Sequence, residues 1–214
     1  MVSETKLNHL QRLLPDGLVA DARWLQVRGY SSGLRSKYVA SGWLEQPARG
    51  VFTRPGGGHR WEQFVISLQS LLRQPVAVGG KTALGLQGYA HDVPLGVEES
   101  VQLYTEAKLP GWLQKLPLRT AFDVRNARRL FPDGGIAASV DDLPDPASKP
   151  ARPSTLPRWH GLTSVPWGPK DWPILVSTPE RAALELLDEL PDNETFESVD
   201  LIMEGLTTLS PRRV

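Results

Sequence analysis

One short run, Ser31, Ser32, Arg35, Ser36 and Lys37, followed by Arg49 and Arg54, holds the most legible chemistry of this chain. Hydroxyl, guanidinium and ammonium groups are the donors that proteins offer to phosphate oxygens and base edges. On a helix, Ser32, Arg35, Ser36 and Lys37 project away from Leu34 and Tyr38, which are spaced to face a core. The outward face is then small, polar and cationic, as a helix in a DNA major groove requires. Arg49 and Arg54 fall where contacts to the backbone or minor groove belong. A winged helix used only for protein contacts would leave Arg35, Lys37 and Arg49 merely solvated.

Other constellations compete with this one. Asp92, Glu106 and Lys108 mimic the Asp … Glu-x-Lys layout of metal-dependent nucleases, in which carboxylates hold Mg²⁺ and the lysine helps activate water. So short a pattern also arises by chance, and Leu109-Pro110 follows at once. Gly80-Lys81-Thr82 suggests a phosphate-binding loop, but Pro75 stands where that motif needs a glycine. A tight turn capping a helix accounts for it. Gly56-Gly57-Gly58 lacks the further glycine of a dinucleotide fingerprint and reads as a flexible joint. His9, His59, His91 and His160 show no metal-ligand spacing. Without cysteine, disulfides, thiolate metal sites and a cysteine nucleophile are excluded. The expectation is a non-enzyme with no cofactor and no metal.

Helices must hold the polar face. Lys6 to Leu14 carries Leu7, Leu10, Leu13 and Leu14 at helical spacing and stops at Pro15 and Gly17. A second helix fits Asp21 to Arg28, with Asp21 as its cap and Ala22 and Leu25 on one face. Gly29 offers a left-handed exit, Ser31 caps a third helix from Ser32 to about Ser41, and Gly42 closes it. Two helices joined by a tight glycine turn make a helix-turn-helix. Trp43 and Leu44 read as the first strand of a wing, Pro47-Ala48-Arg49-Gly50 as its turn and Val51-Phe52-Thr53 as the return strand.

From about Trp61 the pattern changes. Phe64, Leu68, Leu71 and Leu72 form a helical stripe, Pro75 to Val78 a strand, and Lys81 to Gly88 a helix. Val101 and Leu103 alternate as a strand, Gly111 to Leu116 makes a helical turn, and Thr120 to Val124 and Ile174 to Val176 are further strands. Thr178 and Pro179 start a helix to Leu190 with Ala182, Leu184, Leu186 and Leu187 as its stripe, and Phe196 to Glu204 is another, stopped by Gly205. Prolines 144, 146, 150, 153 and 157 make residues 141–158 a long extended or disordered loop. The predicted class is α+β: a winged helix-turn-helix over residues 1–58, then a larger mixed α/β domain over 59–214.

Charge sorts the same way. The 214-residue chain is neutral, with 24 Lys+Arg and 24 Asp+Glu, but residues 1–60 hold 9 basic and 4 acidic residues. A basic module on an acidic body suits a phosphate-binding head. No apolar run is long enough to span a membrane and no signal pattern opens the chain, so a cytoplasmic protein without a membrane partner is expected.

The segment Gly29-Tyr30-Ser31 … Leu34 … Lys37-Tyr38-Val39-Ala40-Ser41-Gly42-Trp43-Leu44 … Arg49-Gly50-Val51-Phe52 resembles the N-terminal domain of AbiEi-type antitoxins. These are the transcription-regulating antitoxins of abortive-infection, type IV toxin–antitoxin systems. Val78 to His91 is similar to that family's Gly-Gly-x-Thr-Ala-Leu-x-x-x-Gly-x-x-His pattern, and Leu103-Tyr104, Leu109 to Leu113 and Ser177 to Ala182 also fit. The resemblance implies a repressor of its own operon that binds double-stranded operator DNA and neutralises a toxin of nucleotidyltransferase fold. Whether the toxin is touched directly stays open. One head reads too few base pairs for a genome, so inverted or direct repeats are expected. The antitoxin function is expected in residues 61–214. Ser210 and Pro211 have the grammar of a helix start, so the chain is expected to continue past Val214.

Overall fold

Side-chain caps open the first three helices. Thr5 accepts from the Asn8 amide at the start of α1 (Lys6–Leu13), Asp21 from Trp24 at α2 (Ala22–Val27), and Ser31 from Leu34 at α3 (Ser32–Ala40). Each satisfies an amide that a helix start leaves unpaired. The computed structural model, which describes residues 5–89, 100–147 and 161–206, adds three strands to these helices. They are β1 (Val19–Asp21), β2 (Glu45–Ala48) and β3 (Val51–Thr53), with β3 between the others and antiparallel to both.

This is the winged helix-turn-helix expected, with two local differences. Trp43 and Leu44 are not strand residues. Tyr38 carbonyl accepts both their amides, at 2.9 and 3.1 Å, and Gly42 turns left-handed at φ +73°, so they finish the cap of α3. The wing strand starts at Glu45 and runs through Pro47, which an edge strand with an irregular register tolerates. Only Arg49 and Gly50 remain as its turn. β1 was too short to show a period in the sequence.

The body begins with α4 (Trp61–Ile66), which continues as a π-helical stretch, Ser67–Leu71. Then come β4 (Val76–Val78), α5 (Gly80–Leu86), β5 (Ser100–Thr105), β6 (Ala121–Asn126), α6 (Ile136–Asp141), β7 (Leu162–Trp167), β8 (Trp172–Ser177), α7 (Pro179–Asp188) and α8 (Phe196–Gly205). The strands form one mixed sheet in the order β6-β5-β4-β8-β7. Val76, Val78, Val101, Leu103 and Val176 pack on one side with residues of α4, α5 and α7. Ala77, Tyr104 and Leu175 pack on the other with Ile136 and Val140 of α6, as strand alternation requires. α6 and β7 escaped sequence reading. Residues 148–160 of the proline-rich loop, and residues 207–214 with their helix start, lie outside the described residues. Among the described residues, no helix is long and apolar enough to cross a membrane.

The flexible joint expected at Gly56–Gly58 does not leave the head loose. Leu10, Leu14, Leu25 and Phe52 of the head belong to the same buried cluster as Val65, Leu68 and Val76 of the body. The Val19 amide donates to Ser67 Oγ at 2.9 Å, and the Trp24 indole to the Leu71 carbonyl at 3.0 Å. At the next position but one, Gln69 is fully buried and bonds the Val76 carbonyl and both polar groups of the Leu175 backbone, tying the π-helical stretch to the sheet.

Two of the family-like stretches of the body, the Gly79-Gly80 turn and the start of α7, meet in space. Arg181 and Glu185 of α7 are both fully buried and paired at 2.9 Å. Ser177 Oγ donates to Glu185 Oε1 and the Gly80 amide to Oε2, each at 2.9 Å. A Cβ at Gly79 would sit 2.3 Å from the Tyr104 ring and 2.4 Å from Glu185 Oε2, so glycine is required there. The inward face of α7 is therefore Arg181, Ala182, Ala183, Glu185 and Leu186, whereas Leu184 and Leu187 of the expected stripe are exposed. Burial pushes the Glu185 carboxyl above its ordinary value, against the opposing pull of Arg181 and the Gly80 amide. Glu185→Gln breaks the buried Arg181–Glu185 pair and should cost about 3–5 kcal/mol in urea unfolding. A loss under about 1 kcal/mol would mean that the carboxyl is already neutral in the fold.

Candidate nucleic-acid interface

The outward face of α3 is small and open. Ser31, Ser32, Ser36 and Lys37 are exposed, and a Cβ on Gly33 would meet nothing. Leu34 and Tyr38 turn inward and pack on the main core. A surface of hydroxyls and one ammonium, without bulky side chains, lets a helix approach a groove floor closely.

The cations divide into two sets. Arg35 donates to the Tyr30 carbonyl and, at 3.0 Å, to Gln26 Oε1, and lies 5.7 Å from the Phe52 ring centroid. It thereby fastens α3 to the end of α2. Arg54 pairs with Asp16 at 3.1 Å and donates to the Gln11 carbonyl. Arg28 lies 3.7 Å over the Trp24 ring, and burial lowers its pKa against the pull of Asp145. Lys37 and Arg49 have no ion-pair partner among the described residues and stand exposed, Arg49 at the tip of the wing. The helix-turn-helix motif brings Ser31, Ser32, Ser36 and Lys37 together; Arg35 and Arg54 have internal occupations in addition.

Sequence reading missed three further cations. Arg23 is exposed in the first turn of α2, whose Ala22 amide donates to the Gly50 carbonyl of the wing turn at 2.8 Å. Lys115 and Arg119 are exposed on a body loop whose Trp112, Leu116 and Leu118 pack against the cluster formed by Val19, Ala48, Val51 and Phe64. Arg23 was legible as the polar complement of Ala22 and Leu25. Nothing in the sequence places residues 112–119 beside the wing.

The rival constellations look different in space. Both Glu106 oxygens accept amides at the start of α6, from Ile136 at 2.8 Å and Ala137 at 3.3 Å, so Glu106 caps that helix. Lys108 is exposed, and Asp92 lies outside the described residues. Glu106 and Lys108 do line an open cleft of about 510 Å³ with Arg125 and Asn126. Among the described residues no group of three or more His, Asp and Glu is placed to hold a metal ion. In the Gly80-Lys81-Thr82 turn, Glu185 and Gln102 already take the amides of Gly80 and Lys81, at 2.9 and 2.7 Å, which leaves no cradle for phosphate. His9 Nδ1 lies 3.1 Å from Tyr30 Oη, while His91 and His160 are outside the described residues.

Comparison with known proteins places this geometry. Residues 3–95 match the transcriptional regulator AbiEi antitoxin N-terminal domain, and residues 98–214 match the AbiEi antitoxin transcriptional regulator of type IV toxin–antitoxin systems. The chain belongs to the AbiEi antitoxin family. The family is one of transcriptional regulators and antitoxins of type IV toxin–antitoxin systems. A crystal structure of the RV2827C protein from Mycobacterium tuberculosis aligns with 93% of this chain and 70% of its own, at 16% identity and a TM-score of 0.42. No curated protein matches the sequence.

Because Arg35 holds the turn between α2 and α3, Arg35→Ala should lower the unfolding free energy by about 1–2 kcal/mol in urea titration. Unchanged stability would leave Arg35 with no fastening role.

Proposed function

We propose that this AbiEi-family antitoxin binds operator DNA in its own promoter and represses its operon. In this reading α3 lies in the major groove, with Ser32, Ser36 and Lys37 at the base edges and Ser31 and the α3 amide end against a phosphate. Arg49 reaches the backbone or minor groove from the wing, with Arg23, Lys115 and Arg119 on flanking phosphates. Arg35 and Arg54 serve chiefly to position α3 and the loop before the first strand. The observation that carries the reading is the exposed, small, polar face of α3 together with an exposed cation at the wing tip. The operator comprises inverted or direct repeats, since a single head reads too little sequence for useful discrimination. Residues 59–214 carry the activity against a toxin of nucleotidyltransferase fold, and the protein works in the cytoplasm.

The Lys37→Ala, Arg49→Ala double variant should bind a duplex of its own promoter more weakly. Its plot of log affinity against log salt should lose about 0.9 from the slope for the phosphate contact of Arg49, while the loss of Lys37 weakens binding at the base edges. In cells it should cease to repress while still rescuing growth from the toxin, because neither residue lies in the body. Undiminished promoter affinity in the double variant would refute the assignment of α3 and the wing.

A further inference from the structure

We infer that the body loop Trp112–Leu118 positions the wing for DNA, so that the head's grip is set by the body. The inference rests on the operator-binding reading, because the wing's position matters only if Arg49 meets DNA.

The wing sheet has two faces. Ala20, Leu44 and Phe52 join the main core with Leu25 and Tyr30. Val19, Ala48 and Val51 form a separate buried cluster with Phe64 of α4, and Trp112, Leu116 and Leu118 pack against it. Ala48 and Val51 pair across the hairpin and bracket Arg49 and Gly50. The loop thus packs on the cluster to which both residues flanking the turn belong. The turn itself is held by the Ala22 amide on the Gly50 carbonyl.

The hairpin itself is weak. Its return strand is three residues long, and the register between its strands is irregular. Two short strands have little stability of their own, so their position follows what packs on them. The loop's grip is apolar: the Trp112 indole N–H has no hydrogen-bond partner among the described residues. The stretch leading into this contact, from Thr105 through Leu113, lines the open cleft at the ends of β5 and β6. Body and wing are therefore linked by one continuous segment. Trimming Leu116 frees the wing tip to move, and the Arg49 contact is lost although Arg49 remains.

The full chain and a duplex of its own promoter test this through the salt dependence of affinity. Leu116→Ala exchanges one uncharged side chain for another, yet should lower the slope by about 0.9, as Arg49→Ala does. In the Leu116→Ala background, Arg49→Ala should then add almost nothing, whereas Lys37→Ala should retain its full effect. That last result shows that α3 still works and the protein is folded. Leu118→Ala, measured alongside, should follow Leu116→Ala. An unchanged slope, or equal Arg49→Ala effects in both backgrounds, overturns the inference and leaves operator binding intact. Loss of the Lys37→Ala effect in both loop variants also overturns it, since the damage is then general. If Arg49→Ala has no effect in the natural chain, the wing's part in DNA binding fails, and this inference with it.

Discussion

The Val19 amide on Ser67 and the Trp24 indole on Leu71 join head to body, and much else depends on those two bonds. Both acceptors lie on the π-helical stretch that follows α4. A π-helical stretch widens the turn and changes which groups face outward, and such stretches recur at functional places. Here it presents a hydroxyl and a carbonyl to the head while Gln69, two residues after Ser67, reaches the sheet on the other side. The head's buried residues then continue into the body's core without a break. A helix-turn-helix mounted this way has its orientation fixed by a 214-residue protein, not by a short module alone. Preorganisation of that kind reduces the ordering that binding would otherwise cost.

The mounting explains why the head is poorer in available charge than its composition suggests. Several of its cations are engaged in construction. Arg35 locks the helix-turn-helix, Arg54 holds Asp16, and Arg28 covers Trp24. The exposed set includes Arg23 in the head and spreads beyond it to Lys115 and Arg119 on the body loop that packs on the wing cluster. In the operator-binding reading, a modest number of phosphate contacts would make the interaction salt-sensitive without making it indiscriminate.

Much of this was legible in the sequence, and its limits have physical causes. Caps are local, so Asp21, Ser31 and Thr178 marked three helix starts correctly. The glycine turn and the Val51–Thr53 strand were equally local. Trp43 and Leu44 misled because an apolar pair after a helix can finish a cap as readily as start a strand, and only the Tyr38 carbonyl decides between them. The stripe on α7 held for Ala182 and Leu186 but failed for Leu184 and Leu187, because a paired Arg181 and Glu185 can be buried while leucines stay outside, which no hydropathy period reveals. The same blindness to long-range contacts concealed Glu106 as a cap for α6 and the body loop that packs on the wing cluster. The Gly-Gly-x-Thr pattern was visible as a motif, but its reason, close approach to Tyr104, Gln102 and Glu185, is purely tertiary.

Amide hydrogen exchange on the full chain, with and without a duplex of its own promoter, tests the account most directly. Bound DNA should slow exchange in residues 31–40 and around Arg49 and Gly50, and leave α7 and α8 unchanged. Protection confined to the body, or absent from α3, would contradict the claim that this helix and its wing are the DNA-binding surface.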